Sequence, residues 1–272
     1  MVHPTGEESE DVLKILALGD VVGRPGREAV ATMLGGMIET YAADFVVVNG
    51  ENAAGGSGIT PEGAETLFAA GVDCITTGDH CFRQKKIIPM LETDARILRP
   101  ANYPNQASGK GVTVLEGRGG VRVGVINLLG RVYMKPIDDP FAAVDAALNR
   151  LAGDTDVIVV DMHAEATSEK IAMGWYLDGR VTAVLGTHTH VQTADETVLP
   201  NGTAYITDLG MTGPHRSVLG RSVEKVVRHL TTGMPTYFDV AADDVRLSGV
   251  VVTANPTTHK ATAIERIVIH KD

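Results

Sequence analysis

The sequence of 272 residues contains only two cysteines, Cys74 and Cys81, which do not form a C-x-x-C pair. Two cysteines cannot cross-link a chain of this length, so we exclude a disulfide-stabilised fold and expect reduced thiols. Aromatic residues are also scarce, at 4%. Apolar runs are short, and none approaches the ~18 residues that a membrane-spanning helix needs. We therefore expect a cytoplasmic protein without a membrane segment.

Basic residues are fewer than acidic ones: the sequence has 24 Lys and Arg residues and 34 Asp and Glu residues, which gives a net charge of −10. A general binder of nucleic acid or of anionic membranes needs a basic face, so stable binding to duplex nucleic acid is not expected. A local site for a phosphorylated substrate remains compatible with this balance. Residues 1–12 hold four of the acids and are interpreted as an acidic N-terminal tail. The sequence leaves homo-oligomer formation open.

Short apolar runs alternate with helical patterns in the first two thirds of the chain. Each run contains four or five residues and ends at a Gly or polar cluster, which is typical of buried strands. The runs are residues 15–18, 45–48, 74–77, 157–160 and 181–185. Helical spacing covers residues 30–41, 61–70 (after Thr60 as N-cap), 141–151 and 171–177. This alternation predicts an α/β fold with a mostly parallel sheet.

The pattern changes after about residue 200. Residues 203–207, 237–240, 245–254 and 261–269 read as strands with few helices between them. We therefore expect a second, more antiparallel sheet. No internal repeat or low-complexity linker is present, so residues 13–272 are predicted to form a single α/β domain with two packed sheets.

Polar residues cluster at one position in this pattern, just past the carboxyl ends of the predicted strands. Ligands of open α/β sheets bind at that edge. Carboxylates and imidazoles that converge there need a cation, so a metal site is the simplest explanation. The candidate ligands are Asp20, Glu51, Asp79, His163, His188 and His190.

Each candidate also has an ordinary structural explanation. Gly-Asp at Asp20 is commonly a turn, and Glu51 lies in a Gly-rich segment that could be only a flexible loop. Asp79 could cap a following helix. The pair His188 and His190 is more specific, because residues i and i+2 of a strand point to one face. The remaining histidines are read as solvated, with His215 the one not set aside.

Two other enzyme classes are disfavoured by spacing. The glycines after the first strand, Gly19, Gly23 and Gly26, follow G-x-x-x-G-x-x-G rather than the dinucleotide-binding G-x-G-x-x-G. No Walker A motif is present. The segment Gly56-Ser57-Gly58 lacks the G-x-S-x-G spacing of a nucleophile elbow, which argues against a serine hydrolase.

Taken together, the motifs resemble the bacterial YmdB-like family of calcineurin-like metallophosphoesterases. The resemblance runs from about residue 13 to residue 270. The motifs that carry it are Gly19-Asp20-Val21-Val22-Gly23, Asn49-Gly50-Glu51-Asn52-Ala53-Ala54-Gly55-Gly56, Gly78-Asp79-His80, Arg99-Pro100-Ala101-Asn102-Tyr103-Pro104, Asp161-Met162-His163-Ala164-Glu165, Gly186-Thr187-His188-Thr189-His190 and Thr207-Asp208-Leu209-Gly210-Met211-Thr212-Gly213.

The resemblance implies a four-layer α/β/β/α sandwich and a site with two metal ions, iron or manganese, with zinc also compatible with the ligand types. It implies that one ion is held by Asp20, Glu51 and His190. The other would be held by Glu51, Asp79, His163 and His188, so that Glu51 bridges. Asn52 and His80 would face the phosphate, with His80 as general acid. This chain departs from the family at Asp79, where the family commonly has asparagine.

The activity implied is hydrolysis of cyclic nucleotides, with 2′,3′-cyclic substrates favoured and 3′,5′-cyclic ones open. A hydroxide bridging the two ions would attack phosphorus in line. His80 would protonate the departing ribose oxygen. Two alternatives stay open: a metal-binding regulatory or scaffold protein with little or no turnover, and a nucleotide phosphomonoesterase. The presence of His80 and Asn52 beyond the metal ligands favours an enzyme.

Overall fold

Two β-sheets organise residues 12–271, the part of the chain that the computed structural model describes. The strands are β1 (Leu13–Leu18), β2 (Asp20–Val21), β3 (Phe45–Asn49), β4 (Cys74–Thr76), β5 (Val112–Glu116), β6 (Arg122–Leu129), β7 (Val157–His163), β8 (Ala183–Thr187), β9 (Thr197–Val198), β10 (Ala204–Ile206), β11 (Met211–Pro214), β12 (Val245–Asn255) and β13 (Lys260–His270). The helices are α1 (Gly23–Tyr41), α2 (Pro61–Ala69), α3 (Ile88–Thr93), α4 (Pro140–Leu151), α5 (Thr167–Leu177) and α6 (Val223–Thr232).

The first sheet has the order β2-β11-β12-β1-β3-β4, in which β11 and β1 pair with different parts of β12. Strand β13 also pairs with β12, along nearly its whole length. Strands β1, β3 and β4 are parallel, whereas β12 runs antiparallel to β1 and to β13. The second sheet has the order β5-β6-β7-β8-β10-β9. Its central strands β6, β7, β8 and β10 are parallel, and both edge strands are antiparallel. The parallel strands of each sheet therefore bring their carboxyl ends to one edge.

The helices begin where local chemistry favours a start. Thr60 caps α2, because its side-chain oxygen accepts a hydrogen bond from the Gly63 backbone N–H at 3.2 Å, as the sequence predicted. Asp139 caps α4 through bonds from the backbone N–H groups of Phe141 and Ala142. A proline in the first turn of both helices supports these starts, since its missing N–H would have no helical partner there.

Three apolar clusters show how the elements pack. The first joins the outer face of the first sheet to α1 and α2. The second contains buried residues of both sheets, including Phe45 and Val159, and therefore lies between them. The third joins the outer face of the second sheet to α4 and α5. Alternation along β1 explains this division, because Leu16 belongs to the first cluster and Ile15 to the second.

The expected strands and helices of the first two thirds are present, with shifted ends, but their assignment to sheets was wrong. The early strands divide between both sheets, and the late strands do as well, so there is no separate antiparallel C-terminal sheet in the described part of the chain. The late strands divide because β12 enters the first sheet beside β1, with β11 and β13 paired to it, whereas β9 and β10 join the second sheet.

The prediction of a strand at residues 237–240 is also wrong. Only Val240 forms an isolated bridge, to Arg221. The helix α6 occupies a region where few helices were expected. Of the expected acidic tail, residues 1–11 lie outside the described residues, and Val12 is exposed. No helix within residues 12–271 has the length and apolar character to cross a bilayer.

Candidate metal centre

Four candidate ligands converge beside the ends of β3, β4, β7 and β8. Glu51, Asp79, His163 and His188 each offer one ligand atom, and these atoms all lie within 4.8 Å of one another. The His163 Nε2 atom is 3.2 Å from Glu51 Oε2 and 3.6 Å from Asp79 Oδ1. The His188 Nδ1 atom is 3.0 Å from His163 Nε2. Two carboxylates and two imidazoles at these distances form a mixed oxygen and nitrogen donor set for a transition metal.

The other two candidate ligands lie directly beside this group. Asp20 is fully buried, and its Oδ1 atom is 3.6 Å from His190 Nε2. Its Oδ2 atom accepts a hydrogen bond from the His188 backbone N–H at 3.0 Å. Asn52 connects the two halves, because its Nδ2 atom lies 3.0 Å from Glu51 Oε1 and 3.1 Å from His190 Nε2. All six residues predicted as ligands are thus brought together.

A chain of buried hydrogen bonds orients His163. Its Nδ1 atom lies 2.8 Å from Thr187 Oγ1, and that hydroxyl donates to Asp161 Oδ1 at 2.6 Å. Asp161 also accepts hydrogen bonds from Thr76 and Asn49. When Nδ1 donates in this series of hydrogen bonds, the Nε2 lone pair is directed at Glu51 and Asp79. The tautomer with the proton on Nδ1 is the one that a metal ligand needs.

The two histidines after β8 are not in a strand, which corrects the reason given for pairing them. His188 and His190 lie in a loop and have positive φ angles of 99° and 63°. This backbone conformation is uncommon for residues other than glycine. The loop directs His188 to His163 and His190 to Asp20, so the two rings serve neighbouring parts of the centre. His190 Nδ1 donates to the Leu219 carbonyl at 3.2 Å, which leaves Nε2 for a metal.

A buried ion pair fixes the loop that contains His188 and His190. The Lys170 Nζ atom donates to Asp208 Oδ2 at 2.7 Å, and both residues are fully buried. The same oxygen accepts hydrogen bonds from the backbone N–H and hydroxyl of Thr189, between the two histidines. Asp208 Oδ1 accepts from the Gly210 N–H at 2.8 Å. The Asp208 carboxylate therefore fixes the loop that carries two candidate ligands.

The absence of a side chain at Gly78 is a condition for this geometry. A Cβ atom built at Gly78 would lie 2.2 Å from His163 Nε2 and 2.4 Å from Glu51 Oε2. Contacts that short do not occur, so any other residue would displace one of the two ligands. Asp79, the next residue, lies in a turn, and no helix begins until several residues later, so the alternative that Asp79 caps a helix is wrong.

The pKa shifts of the clustered side chains show that the carboxylates favour positive charge beside them. Burial raises the pKa of Glu51, but His163 and His80 outweigh burial and hold that pKa well below its usual value. Burial lowers the pKa of His163, yet the carboxylates of Glu51 and Asp79 raise it well above normal. Burial and the nearby His163 charge lower the pKa of His188. The carboxylates thus hold positive charge beside them, which a bound cation would supply.

The donor set fits a metal. Asp20 Oδ1 and Asp79 Oδ1 are buried and have no hydrogen-bond partner within residues 12–271. Such an unpartnered carboxylate oxygen is costly unless a ligand satisfies it. Both oxygens lie beside histidine nitrogens, as metal ligands do. These residues could therefore hold metal.

The two predicted catalytic residues lie on the accessible side of the cluster. His80 Nδ1 is 3.0 Å from Asn52 Oδ1, and its backbone N–H donates to Glu51 Oε2 at 3.2 Å. The His80 side chain is 25% exposed, whereas Asn52 is only 4% exposed. His80 is therefore reachable from solvent, and Asn52 lies beneath it.

The sequence interpretation missed the residues that support the ligands. His215, which was kept as a candidate, donates from Nδ1 to the Gly213 carbonyl and pairs with none of the six ligands in the described structure. Asp161 and Thr187 were inside quoted motifs, but nothing in their spacing showed their link to His163. The pair Lys170 and Asp208 is separated by 38 residues and has no local signal.

Comparison with known proteins agrees with the motifs. The pattern of the YmdB-like protein family matches residues 16–267. The 2′,3′-cyclic-nucleotide 2′-phosphodiesterase of Bacillus subtilis is 46% identical over 96% of this chain and 98% of its own length. A crystal structure of a phosphatase from Mycoplasma pneumoniae has a TM-score of 0.90 and 36% identity, over 97% of this chain and 95% of the other.

A second solved structure extends this agreement. A hypothetical protein from Thermus thermophilus has a TM-score of 0.89 and 40% identity, over 96% of this chain and all of the other. The similarity thus includes both sheets and every segment that contributes a candidate ligand. The chain belongs to the YmdB-like protein family.

Proposed function

We propose that this chain is a metal-dependent phosphodiesterase that hydrolyses cyclic nucleotides, with 2′,3′-cyclic substrates favoured. The convergence of Glu51, Asp79, His163 and His188 within 4.8 Å, flanked by Asp20 and His190, carries the proposal. The name of the Bacillus subtilis relative supports the substrate class. That name also favours cleavage of the bond between phosphorus and the 2′ oxygen, which leaves a 3′-monoester.

In this proposal Asp20, Glu51 and His190 would hold one ion, and Glu51 would also contribute to a second ion with Asp79, His163 and His188. Iron or manganese is favoured, with zinc compatible. When bound, such a pair of ions acts as a Lewis acid toward the phosphoryl group and makes water acidic enough to supply hydroxide.

His80 performs the proton transfer that the leaving group needs. Its Nδ1 atom is held by Asn52 Oδ1 at 3.0 Å, so the ring is oriented, and its side chain is partly exposed to an arriving substrate. Water supplies the new oxygen on phosphorus, the bond to the ribose oxygen breaks, and that oxygen takes a proton from His80 Nε2. Asn52 acts as the group that orients His80 beside Glu51.

The proposal also includes the layer order of the fold, the location of the protein and its partners. The three apolar clusters support a four-layer α/β/β/α order within a single domain of residues 13–272. The two cysteines form no disulfide, which is compatible with a cytoplasmic location. The expected partner is a small phosphodiester substrate rather than duplex nucleic acid, and a homo-oligomer stays open.

Turnover of a substrate panel tests the proposal. Purified protein is assayed with 2′,3′-cyclic, 3′,5′-cyclic and monoester nucleotides, with and without added Mn²⁺, alongside elemental analysis. We expect about two metal ions per chain, hydrolysis of the 2′,3′-cyclic substrate to the 3′-monoester, and loss of both activity and one ion in Glu51→Gln. Wild-type metal content and turnover in Glu51→Gln would contradict the two-metal assignment.

A second candidate is phosphomonoesterase activity, because the similar protein from Mycoplasma pneumoniae is described as a phosphatase. The same panel separates the two functions: faster release of phosphate from the monoesters than opening of the cyclic ring would favour it. Metal binding without turnover of any substrate would instead favour a regulatory or scaffold role.

A further inference from the structure

A loop of residues 130–137, here called the Lys135 loop, connects two candidate ligands. At its start, the Gly130 backbone N–H donates to the His163 carbonyl at 2.9 Å. Near its end, the Lys135 Nζ atom donates to the Asp79 backbone carbonyl at 2.6 Å. The loop therefore borders the metal centre, although none of its residues was predicted to belong to the site.

Asn102 closes the base of this loop. Its side chain accepts a hydrogen bond from the Leu129 N–H at 2.9 Å and donates to the Leu129 carbonyl at 2.7 Å. It also donates to the Asp138 carbonyl at 3.0 Å, and the Asp138 N–H returns a bond to the Asn102 carbonyl. Asn102 thus holds both ends of the loop, which gives the segment Arg99-Pro100-Ala101-Asn102-Tyr103-Pro104 a role that the metal ligands do not explain.

Glu169 fixes the loop at a third point. Its carboxylate accepts hydrogen bonds from the backbone N–H groups of Arg131 and Val132, each at 3.0 Å. A short loop whose ends lie close together and whose backbone is held by side chains is a common way to present a functional residue. The position of Lys135 is therefore set by the fold.

The ammonium group of Lys135 has unused capacity for binding. Only one of its three N–H donors has a partner within the described residues, the neutral Asp79 carbonyl. No carboxylate of residues 12–271 forms an ion pair with it, and the residue is exposed. A hydrogen bond that only joins the loop to the Asp79 carbonyl does not require a charged donor. An anion beside Asp79 would meet the two N–H donors of the Lys135 ammonium that have no partner among the described residues.

We propose that Lys135 is a substrate-binding residue that pairs with a phosphate oxygen of the nucleotide. This inference rests on the proposed function, because that function brings a phosphodiester anion to the metal centre. A hydrogen bond between an ammonium and a phosphate oxygen is charge-assisted and stronger than a neutral one. Because the phosphate is anionic both before and during reaction, Lys135 contributes mainly to binding, so its loss raises KM more than it lowers kcat.

The test compares Lys135→Met with Arg131→Met. Both substitutions remove one positive charge from an exposed residue of the same loop, and the Arg131 side chain forms no ion pair within the described structure, so the change in net charge is matched. We measure KM and kcat on a 2′,3′-cyclic nucleotide, the affinity of metal-loaded protein for inorganic phosphate by calorimetry, and metal content. Lys135→Arg, which keeps the charge, is included as a rescue variant.

For Lys135→Met we expect KM to rise about 10- to 100-fold, the range of one charge-assisted hydrogen bond, with kcat changed less than about threefold. Phosphate affinity should fall in parallel, and metal content should stay at the wild-type value. Arg131→Met should change KM less than about twofold, and Lys135→Arg should recover most of the loss.

Equal KM values for Lys135→Met and Arg131→Met would overturn the inference. A loss of metal or a lower melting temperature in Lys135→Met, with unchanged phosphate affinity of the loaded protein, would also overturn it by showing a structural tether. The phosphate measurement needs no turnover. If wild-type protein opens no diester but Lys135→Met alone loses phosphate affinity, the proposed function fails and the binding role of Lys135 stands.

Discussion

The two sides of the metal centre differ in how their polar groups are satisfied. On the buried side, His163, Thr187 and Asp161 form a continuous series of hydrogen bonds, and all three are nearly or fully inaccessible to solvent. On the exposed side, His80 is partly accessible, and Lys135 uses one of three donors. The difference separates two sets of contacts, because the buried side fixes the candidate ligands and the exposed side leaves hydrogen-bond donors without a partner in the described part of the chain.

This separation predicts different consequences for substitutions on the two sides. A change on the buried side should alter metal affinity or the free energy of unfolding. A change on the exposed side should alter turnover or substrate affinity while the metal content stays constant. The following experiments test that division, from the largest expected effect to the smallest.

The largest effect is expected on the exposed side, at His80. We expect His80→Ala to lower kcat about 10²–10⁴-fold on a 2′,3′-cyclic nucleotide, because a ribose oxygen is a poor leaving group that needs protonation. A nitrophenyl diester has a good leaving group, so the loss there should be much smaller. Steady-state kinetics on both substrates, with elemental analysis, checks this prediction. Equal losses on both would mean that His80 binds phosphate or supports the fold.

On the buried side, Lys170→Met should destabilise the protein by about 3–5 kcal/mol, because it leaves the Asp208 charge buried without its partner. The double variant Lys170→Met/Asp208→Asn removes both charges and should recover much of that loss. Urea unfolding provides the measurement. The exposed pair of Arg180 with Asp145 is the control, and Arg180→Met should cost only ~0–1 kcal/mol. A double variant no more stable than Lys170→Met would contradict the ion-pair argument.

A smaller and more selective effect is expected at Thr187. We expect Thr187→Val to lower metal affinity about 10–100-fold, because it breaks the link that orients His163. Thr182→Val is a matched control just before the other end of β8, since its buried hydroxyl also joins two groups, the Ile158 N–H and the His259 carbonyl, but is not bonded to a candidate ligand. Competition with a chelator measures affinity for both variants. Equal metal loss in the two would show that the effect is general destabilisation.

The smallest effect concerns thiol chemistry next to the exposed side. Cys81 follows His80 but is itself buried, and burial raises its pKa to about 12. The reactive thiolate therefore makes up only ~10⁻⁴ of the thiol at pH 8 and increases tenfold per pH unit up to that pKa. We expect negligible reaction of native protein with a thiol reagent at pH 8 and rapid reaction of two thiols after unfolding. Rapid native labelling would show that the exposed side opens more deeply.

The sequence indicated which polar side chains lie close together better than it indicated the path of the chain. Asp20, Glu51 and Asp79 follow apolar runs, and a strand that ends at a polar residue is a local signal. Sheet membership is not local, since β12 pairs with β1 across more than 200 residues. The helix α6 was missed although Val223, Val226 and Val227 have helical spacing, because most of its apolar residues face solvent and the neighbouring runs resemble strands.

The supporting residues could not have been found by the same means. Lys170 directly precedes the predicted helical pattern of residues 171–177, and a lysine there is expected to be solvated, yet it lies in α5 with its side chain fully buried. Only the position of Asp208 makes that burial tolerable, and pairing of this kind depends on tertiary structure. Lys135 is in an irregular loop without any periodic signal. Sequence patterns therefore indicate the candidate ligands more readily than the residues that support them through tertiary contacts.

The position of β12 has a consequence for synthesis of the protein on the ribosome. Strand β1 pairs with β3 on one side, but its other edge waits for β12, which is translated more than 200 residues later. An open strand edge can pair with other chains, and nascent α/β proteins are vulnerable to such association. Asp20, which follows β1 through Gly19, can be held firmly only once β11 and β12 emerge. We therefore expect the candidate ligands to come together only late in synthesis, so that metal added during translation contributes little to the folding yield.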